Sequence, residues 1–108
     1  MRSIEDRALG YLVGVRTILA DKRNWAKNDY ERVLKSGRTR YCLVGALRAV
    51  AGPAGPAYRA AYDWLSTAAA ARSRLGGNPE DFNDTHTHRE VLALLDQVIA
   101  DAKDLRRG

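Results

Sequence analysis

The sequence predicts an all-α fold, a compact bundle of four main helices with a short fifth helix between the first two. Apolar residues recur at three- and four-residue steps along four separate segments, the spacing that places them on one face of a helix. Capping residues, glycines or prolines stand at the ends of these segments. With 108 residues, 45% of them hydrophobic and 29% charged, the chain can bury one modest core. We therefore expect a single helical domain over residues 1–108.

The first helix is predicted over residues 4–21. Ser3 is placed to cap it, and Glu5 and Asp6 follow in the first turn, where acidic groups suit the positive end of the helix dipole. Its buried face is expected to carry Ile4, Ala8, Leu12, Val15 and Leu19.

The second main helix, predicted over residues 40–51, is expected to be the centre of the fold. It is apolar around most of its circumference, as is a helix surrounded by others. Thr39 is its candidate N-cap, and Gly52 is placed to end it. Gly45 has no side chain, so another helix could approach closely there. The same helix carries the only cysteine, Cys42.

The segment between these two helices admits two predictions. Tyr30, Val33 and Leu34 have helical spacing, which favours a short helix near residues 29–36. The alternative is a β-hairpin that turns at Ser36-Gly37. The spacing favours the helix, and the hairpin stays open.

The third main helix is predicted over residues 56–75, after a turn rich in glycine and proline. Pro56 suits the first position of a helix, because its missing N–H has no partner there in any case. Arg72 and Arg74, followed by Gly76-Gly77, are typical of a helix end.

The last helix is predicted over residues 87–105 and has the clearest start in the chain. Thr87 and Glu90 have the spacing of a capping box, in which each side chain bonds the backbone N–H of the other residue. Residues 78–86 are predicted to form a polar loop whose Phe82 packs inward.

Composition excludes several classes of protein. The lone cysteine excludes an internal disulfide and fits a reducing compartment. No stretch approaches the roughly 20 apolar residues that a membrane span needs, and no run of signal-peptide type opens the chain. We expect a soluble cytoplasmic protein without a membrane partner.

Basic residues are concentrated in one part of the chain, whose formal net charge is +5. Residues 22–48 hold eight basic and two acidic groups, whereas residues 79–108 hold four basic and seven acidic groups. This asymmetry indicates either an anionic partner or two oppositely charged parts of one domain. The candidate nucleic-acid-binding residues are Lys22, Arg23, Lys27, Arg32, Lys35, Arg38 and Arg40. Trp25 and Tyr30 lie among them and suit base stacking, although a solvated basic face explains the same pattern.

Cys42 is the candidate nucleophile for an enzymatic function. In the first turn of its helix, the helix dipole would lower the pKa of the thiol. His86 or His88 could act as the base, and Asp84 or Asn83 could orient it. The competing interpretation is that Cys42 is a small buried apolar side chain, and no nucleophile-elbow or protease signature accompanies it.

The pattern Asp84-x-His86-x-His88 also suggests three zinc ligands on one side of an extended segment. However, His88 lies inside the last helix if Thr87 caps it, and this breaks the alternation. The competing interpretation is that Asn83 and Asp84 bond backbone groups ahead of the helix. We predict neither a bound metal nor a cofactor.

Four short motifs occur in the order Trp25, Tyr41-Cys42-Leu43-Val44-Gly45-Ala46-Leu47, Phe82-Asn83-Asp84 and Glu90-Val91-Leu92-Ala93-Leu94-Leu95-Asp96. This order resembles a family of small proteins of unknown function from actinobacteria and their bacteriophages, in which tryptophan typically stands at the position of Phe82. The resemblance implies no activity. It implies a shared feature formed by Trp25, Cys42, Gly45, Phe82, Asn83 and Asp84. We therefore expect the start of the second helix to touch Phe82-Asn83-Asp84, with Asn83 or Asp84 bonding polar groups there.

The leading functional hypothesis is a non-catalytic binding or regulatory protein that contacts another protein, such as a phage-type accessory factor. The first alternative is a nucleic-acid-binding module that uses the basic face over residues 22–40. The second alternative is a cysteine-dependent hydrolase built on Cys42. The sequence leaves open the identity of the partner and whether the protein is a homo-oligomer.

Overall fold

The computed structural model describes residues 3–73 and 77–107, and the predicted mostly α-helical fold is confirmed. In chain order the elements are α1 (Ile4–Leu19), a 3-10 turn (Lys22–Asn24), β1 (Glu31–Val33), β2 (Thr39–Tyr41), α2 (Leu43–Ala51), α3 (Pro56–Arg72), α4 (Pro79–Thr85) and α5 (His88–Arg107). The four main helices follow the predicted segments to within three residues at each end. Within the described ranges, no helix is both long and apolar enough to cross a membrane.

The centre of the fold is α1, which packs against α2, α3 and α5. Its Leu12, Val15 and Leu19 are fully buried in the core. The prediction that α2 is the central helix is wrong. Only its first five residues are buried, and the next three, Arg48 to Val50, are exposed. An apolar composition does not place a nine-residue helix at the centre, because a longer helix offers more surface for the others to cover.

Most of the predicted helix ends are confirmed. The Ser3 hydroxyl accepts the N–H of Asp6 at 3.0 Å, so Ser3 caps α1. The capping box at the start of α5 is complete, since the Thr87 hydroxyl accepts the Glu90 N–H at 3.2 Å and the Glu90 carboxylate accepts the Thr87 N–H at 2.9 Å. Gly52 ends α2 with a φ of 80°, a conformation that glycine adopts without strain.

The segment between α1 and α2 forms a β-hairpin, so the prediction of a short helix near residues 29–36 is wrong and the hairpin alternative is correct. The loop closes where Gly37 donates its N–H to the carbonyl of Leu34 at 2.9 Å. Gly37 has a φ of 90°, as a three-residue hairpin loop requires at its last position.

The helical spacing in this segment misleads because its apolar side chains do not share a buried face. Val33 is 67% exposed and Tyr30 is 44% exposed. Without burial, a short isolated helix is marginal in water. The hairpin instead gains backbone pairing and contacts with the 3-10 turn and α2.

A short helix, α4, stands where a polar loop is predicted. The side-chain oxygen of Asn78 accepts the N–H of Asp81 at 2.8 Å, and Pro79 occupies the first helical position. Phe82 packs inward as predicted and is 3% exposed. The start signal was visible in the sequence, but seven residues carry too few apolar positions to show a helical period.

The third main helix ends at Arg72, after which Ser73 adopts an extended backbone. The prediction that Arg74 and Gly76-Gly77 mark this end concerns residues 74–76, which lie outside the described residues.

Candidate nucleic-acid interface

The structure gathers most of the predicted basic residues around one concavity with a volume of ≈ 560 Å³. The 3-10 turn, the loop after it and one face of the hairpin form its walls. It is lined by Lys22, Arg23, Trp25, Ala26, Lys27, Asn28, Arg32 and Arg40. We call this surface the basic concavity. Five of the seven predicted nucleic-acid-binding residues therefore lie on one surface.

Local structure brings these side chains together. The loop is docked on the hairpin, since Ala26 donates its N–H to the carbonyl of Tyr41 at 2.9 Å. In the antiparallel register, Arg32 lies directly opposite Arg40. Residues opposite each other in such a pair project from the same face of the sheet, so both arginines reach the basic concavity.

Lys35 and Arg38 do not line the basic concavity. Both lie at the hairpin turn, where Lys35 is exposed. Arg38 turns back toward the 3-10 turn, and its guanidinium donates to the Asn24 side-chain oxygen at 3.0 Å and lies 3.7 Å from the Asp21 carboxylate. The predicted basic face over residues 22–40 is therefore divided by the hairpin.

Two cations of the basic concavity are paired with acids. Arg23 donates to the Asp21 carboxylate at 2.8 Å, and Arg32 donates to the Asp29 carboxylate at 2.7 Å. The hydrogen bonds from Arg23 lower the pKa of Asp21 to about 2, so this carboxylate stays charged at neutral pH. Both arginines are thus partly neutralised before any ligand arrives.

Three other cations, Lys22, Lys27 and Arg40, form no ion pair with any described residue. Both lysines are exposed, whereas Arg40 is half-buried. The ammonium of Lys27 lies 5.4 Å from the centre of the Trp25 ring, within the range of a cation–π contact. These three side chains carry the unpaired positive charge of the basic concavity.

The two aromatic residues predicted to accompany the cations are separated in the structure. Trp25 lines the basic concavity and is fixed there, because its indole N–H donates to the Asn83 side-chain oxygen at 2.6 Å. Tyr30 lies elsewhere, with the Arg48 guanidinium 4.0 Å from its ring centre and its hydroxyl donating to Glu80 at 3.2 Å. Tyr30 therefore does not lie beside Trp25 on the surface that holds the cations.

Asn83 joins α4 to α2 and to the loop that carries Trp25. It is the buried polar residue of the described core, and both ends of its side chain are bonded. Its Oδ1 accepts the Leu43 N–H at 3.1 Å as well as the Trp25 indole N–H, and its Nδ2 donates to the Ala26 carbonyl at 2.9 Å. The predicted contact between the start of α2 and the Phe82-Asn83-Asp84 segment is confirmed.

Gly45 makes room for a backbone carbonyl and not, as predicted, for another helix. A Cβ at this position would overlap the carbonyl oxygen of Tyr30 and lie 2.6 Å from its carbonyl carbon. The same oxygen accepts the N–H of Cys42 at 3.2 Å. The chain entering the hairpin is therefore pressed against the first turn of α2.

Cys42 caps α2 in place of the predicted Thr39, which lies in β2. Its sulfur accepts the N–H of Gly45 at 3.3 Å, and the residue is 3% exposed. Burial raises the pKa of the thiol, and the nearby carboxylates of Asp84 and Glu80 raise it further. The prediction that the helix dipole lowers the pKa of Cys42 is wrong, because desolvation outweighs the hydrogen bonds from the helix start.

The two histidines are bonded to backbone carbonyls away from the thiol. His86 Nδ1 lies 2.9 Å from the Phe82 carbonyl, and His88 Nε2 lies 2.6 Å from the Leu19 carbonyl. Cys42 shares a small cavity of ≈ 250 Å³ with Asp84 and other polar residues, but neither histidine lines it. The structure thus brings Cys42 near Asp84. A cysteine hydrolase also needs a base beside the sulfur, and neither histidine lies in this cavity.

The suggested zinc ligands do not share one side of an extended segment. Asp84 belongs to α4, where its carboxylate accepts the Asn28 N–H at 2.8 Å, and His88 belongs to α5. In the part of the chain that the structure describes, no three histidine, cysteine, aspartate or glutamate side chains converge on a point that could hold a metal ion.

Residues 4–101 match the model of a family described as "Family of unknown function (DUF6197)". The chain belongs to this family. The match covers the basic concavity and the Asn83 contacts together, and it brings no activity with it. No curated protein and no solved structure matches the chain.

This DUF6197 chain also contains a polar cluster that sequence reasoning did not predict. The Glu80 carboxylate accepts the hydroxyls of Tyr62 at 2.8 Å and Tyr30 at 3.2 Å. Burial, with the bond to Glu80, holds the pKa of Tyr62 far above its usual range. Because Glu80 belongs to the unpredicted α4, nothing in the sequence placed it between these tyrosines. The cluster ties α3, α4 and the chain before β1 together.

Proposed function

We propose that this protein is a non-catalytic binding protein that holds the phosphate backbone of nucleic acid in the basic concavity. The observation that supports the proposal is the convergence of Lys22, Lys27 and Arg40 on one concave surface. None of the three forms an ion pair with a described residue, and the attraction between Lys27 and Glu90 acts over a longer distance. Phosphate contacts supply most of the affinity of sequence-independent nucleic-acid binding.

The geometry favours contact with the backbone over reading of bases. The elements around the basic concavity are a 3-10 turn, a loop and a hairpin with three-residue strands, so no helix projects from this surface toward a groove. Trp25 adds one aromatic surface, already approached by Lys27. We therefore propose binding that depends little on sequence, in the cytoplasm, where nucleic acid is available.

Salt dependence tests this function. We expect an end-labelled oligonucleotide of about 16 nucleotides to bind with an affinity that falls as salt rises, with a log–log slope of about −2 to −3 for three phosphate contacts. A double variant, Lys22→Gln with Lys27→Gln, should reduce both the affinity and the slope. Lys103→Gln, which removes an exposed lysine from α5, is the matched control and should change neither. Binding that is absent at low salt, or equally weakened by the control, would contradict the proposal.

A second candidate function is contact with a partner protein, supported by an apolar groove of ≈ 320 Å³ between α3 and α5. Its floor includes Trp64, Ala68, Val98 and Ala102, and Leu105 at its edge is 70% exposed. The groove continues toward Glu5 and Asp6 of α1, and Asp101 lines it too, whereas Arg72 is the basic residue in its lining. The acidic residues around the groove outnumber the basic ones, which fits a basic amphipathic helix of a partner. An accessory factor of actinobacterial or phage type could bind such a partner.

A model peptide tests the second candidate. In a Trp25→Phe background, the fluorescence of Trp64 should change saturably with an amphipathic helical peptide of leucine and lysine, and Leu105→Glu should weaken that response. A scrambled peptide of the same composition is the control. An equal response to both peptides would exclude the groove as a helix-binding site, and sedimentation of the protein alone would reveal a second copy as its occupant.

A further inference from the structure

Arg40 differs from the other arginines of the basic concavity in its partners. The Nε atoms of Arg23 and Arg32 donate to aspartates at 3.1 Å. The Nε of Arg40 is buried, and it has no hydrogen-bond partner in the described part of the chain. Buried donors are nearly always bonded, and an unbonded one weakens the fold, so the Arg40 Nε–H is the donor of the basic concavity that would gain most from an added acceptor.

The strand register adds a second, independent observation. Arg40 lies directly opposite Arg32, and like charges in directly opposed positions destabilise a hairpin. Asp29 pairs with Arg32 and relieves part of this repulsion, but nothing described pairs with Arg40. An anion bound at Arg40 would remove the remaining repulsion and supply the missing acceptor.

We propose that Arg40 is the phosphate anchor of this protein: its guanidinium grips one phosphate group, and Lys22 and Lys27 add charge around it. This inference rests on the proposed function only for the identity of the ligand as nucleic acid. Binding of two phosphate oxygens by the Arg40 guanidinium does not depend on that identity. Arginine suits the role because its planar fork of N–H donors matches two phosphate oxygens.

Binding at this edge includes a small movement of the side chain. Because the Nε is covered, the guanidinium must turn toward the basic concavity before both Nε–H and one Nη–H can meet a phosphate. Arg40 lies in β2, where pairing with β1 holds its backbone, so this movement is confined to the half-buried side chain.

Arginine side-chain NMR tests the anchor without any nucleic acid. In the ¹⁵N-labelled protein, inorganic phosphate added at constant ionic strength should shift the Arg40 Nε–H signal saturably. The Nε–H signals of Arg23 and Arg32, which already donate to aspartates, are internal controls and should move little. The Arg40 signal is assigned by its loss in Arg40→Lys. A linear drift of all three signals, or no shift, would overturn the anchor.

The same variants separate this inference from the proposed function. Arg40→Lys keeps the charge but loses the planar set of N–H donors, and we expect it to weaken oligonucleotide binding about fivefold or more. Arg59→Lys, the same change at an exposed position of α3 outside the basic concavity, is the matched control and should change binding less than about twofold. If Arg40→Lys binds as the wild type does while Lys22→Gln with Lys27→Gln binds weakly, the anchor is wrong and the function stands. If phosphate shifts the Arg40 Nε–H signal but no oligonucleotide binds at low salt, Arg40 is a site for a small phosphate compound and the proposed binding of nucleic acid is wrong. Should Arg40→Lys fail to fold, the Arg40 Nε–H signal is assigned in the wild type through its bonds to the Arg40 backbone, and the phosphate titration then decides.

Discussion

The Asn83 side-chain oxygen accepts the backbone N–H of Leu43, forty residues earlier in the chain, at 3.1 Å. This bond satisfies one of the N–H groups that the start of α2 leaves without a partner inside the helix. The same oxygen holds the Trp25 indole, so one buried amide positions α2 and the aromatic wall of the basic concavity.

Asn83→Ala should therefore be among the most destabilising single substitutions in this protein. It leaves the Leu43 N–H, the Trp25 indole N–H and the Ala26 carbonyl without their partner, and we expect a loss of about 3–5 kcal/mol in the free energy of unfolding. Urea unfolding measures it. Asn78→Ala, which removes an exposed cap from α4, is the matched control and should cost only about 1 kcal/mol. Equal losses in the two variants would refute this role for Asn83.

Two glycine-to-alanine substitutions should have opposite signs. Gly45→Ala places a methyl group against the Tyr30 backbone, which cannot move without displacing the chain ahead of β1, and we expect a loss of about 3 kcal/mol or more. Gly10→Ala lies on an exposed face of α1 with nothing within 4 Å of the added carbon. It should stabilise the protein by about 0.5–1 kcal/mol through helix propensity. Thermal unfolding of both variants checks the pair, and a stable Gly45→Ala protein would contradict the close approach.

Cys42 should react slowly with thiol reagents in the native protein. Burial raises the pKa of its thiol, so the native state keeps the proton to a higher pH than the unfolded chain. The contribution of this pKa difference to the free energy of unfolding is therefore fully present below the unfolded pKa of about 8.5, and it is lost as pH rises through the folded pKa of Cys42. We expect labelling to follow the rate of structural opening.

An exposed cysteine supplies the control for this labelling. Ala100→Cys in a Cys42→Ser background lies on an exposed face of α5 and should react at the rate of a model thiol. Reaction of native Cys42 at that rate near pH 7 would overturn the assignment of Cys42 as a buried cap and revive the hydrolase alternative.

The capping box of α5 should make stability depend on pH in the acidic range. The backbone N–H of Thr87, as the main cause, lowers the pKa of Glu90. Its contribution is present above the unfolded pKa of about 4.3 and is lost as pH falls through the lower folded value. The difference in unfolding free energy between wild type and Glu90→Gln should therefore be larger at pH 7 than at pH 3.

Asn78→Ala is the control for this pH dependence, since it removes the side-chain cap of α4 and no titrating group. Its cost should largely persist at pH 3. If the cost of Glu90→Gln persists in the same way, the carboxylate charge does not stabilise the helix start.

The sequence could predict the long helices because their evidence is local. α1 and α5 each combine an apolar stripe with a capping residue only a few positions away, and both signals act within the helix itself. The sequence favoured a short helix over the hairpin because Tyr30 and Val33 have helical spacing. Both side chains are exposed in the structure, and burial depends on the rest of the fold. The sequence did not predict α4, because seven residues are too few to show a repeated helical spacing of apolar side chains.

The candidate site divides in the same way. The sequence alone showed that cations are dense over residues 22–40 and that Cys42 lies at the start of an apolar helix, and the family resemblance implied that Asn83 lies near that start. Only the tertiary structure decided which arginines are paired with acids, that Tyr30 lies outside the basic concavity and that Arg40 keeps an unbonded donor. The reason is physical: helix periods and caps arise from neighbours within four residues, whereas ion pairing and burial depend on distances between segments that the chain brings together only by folding.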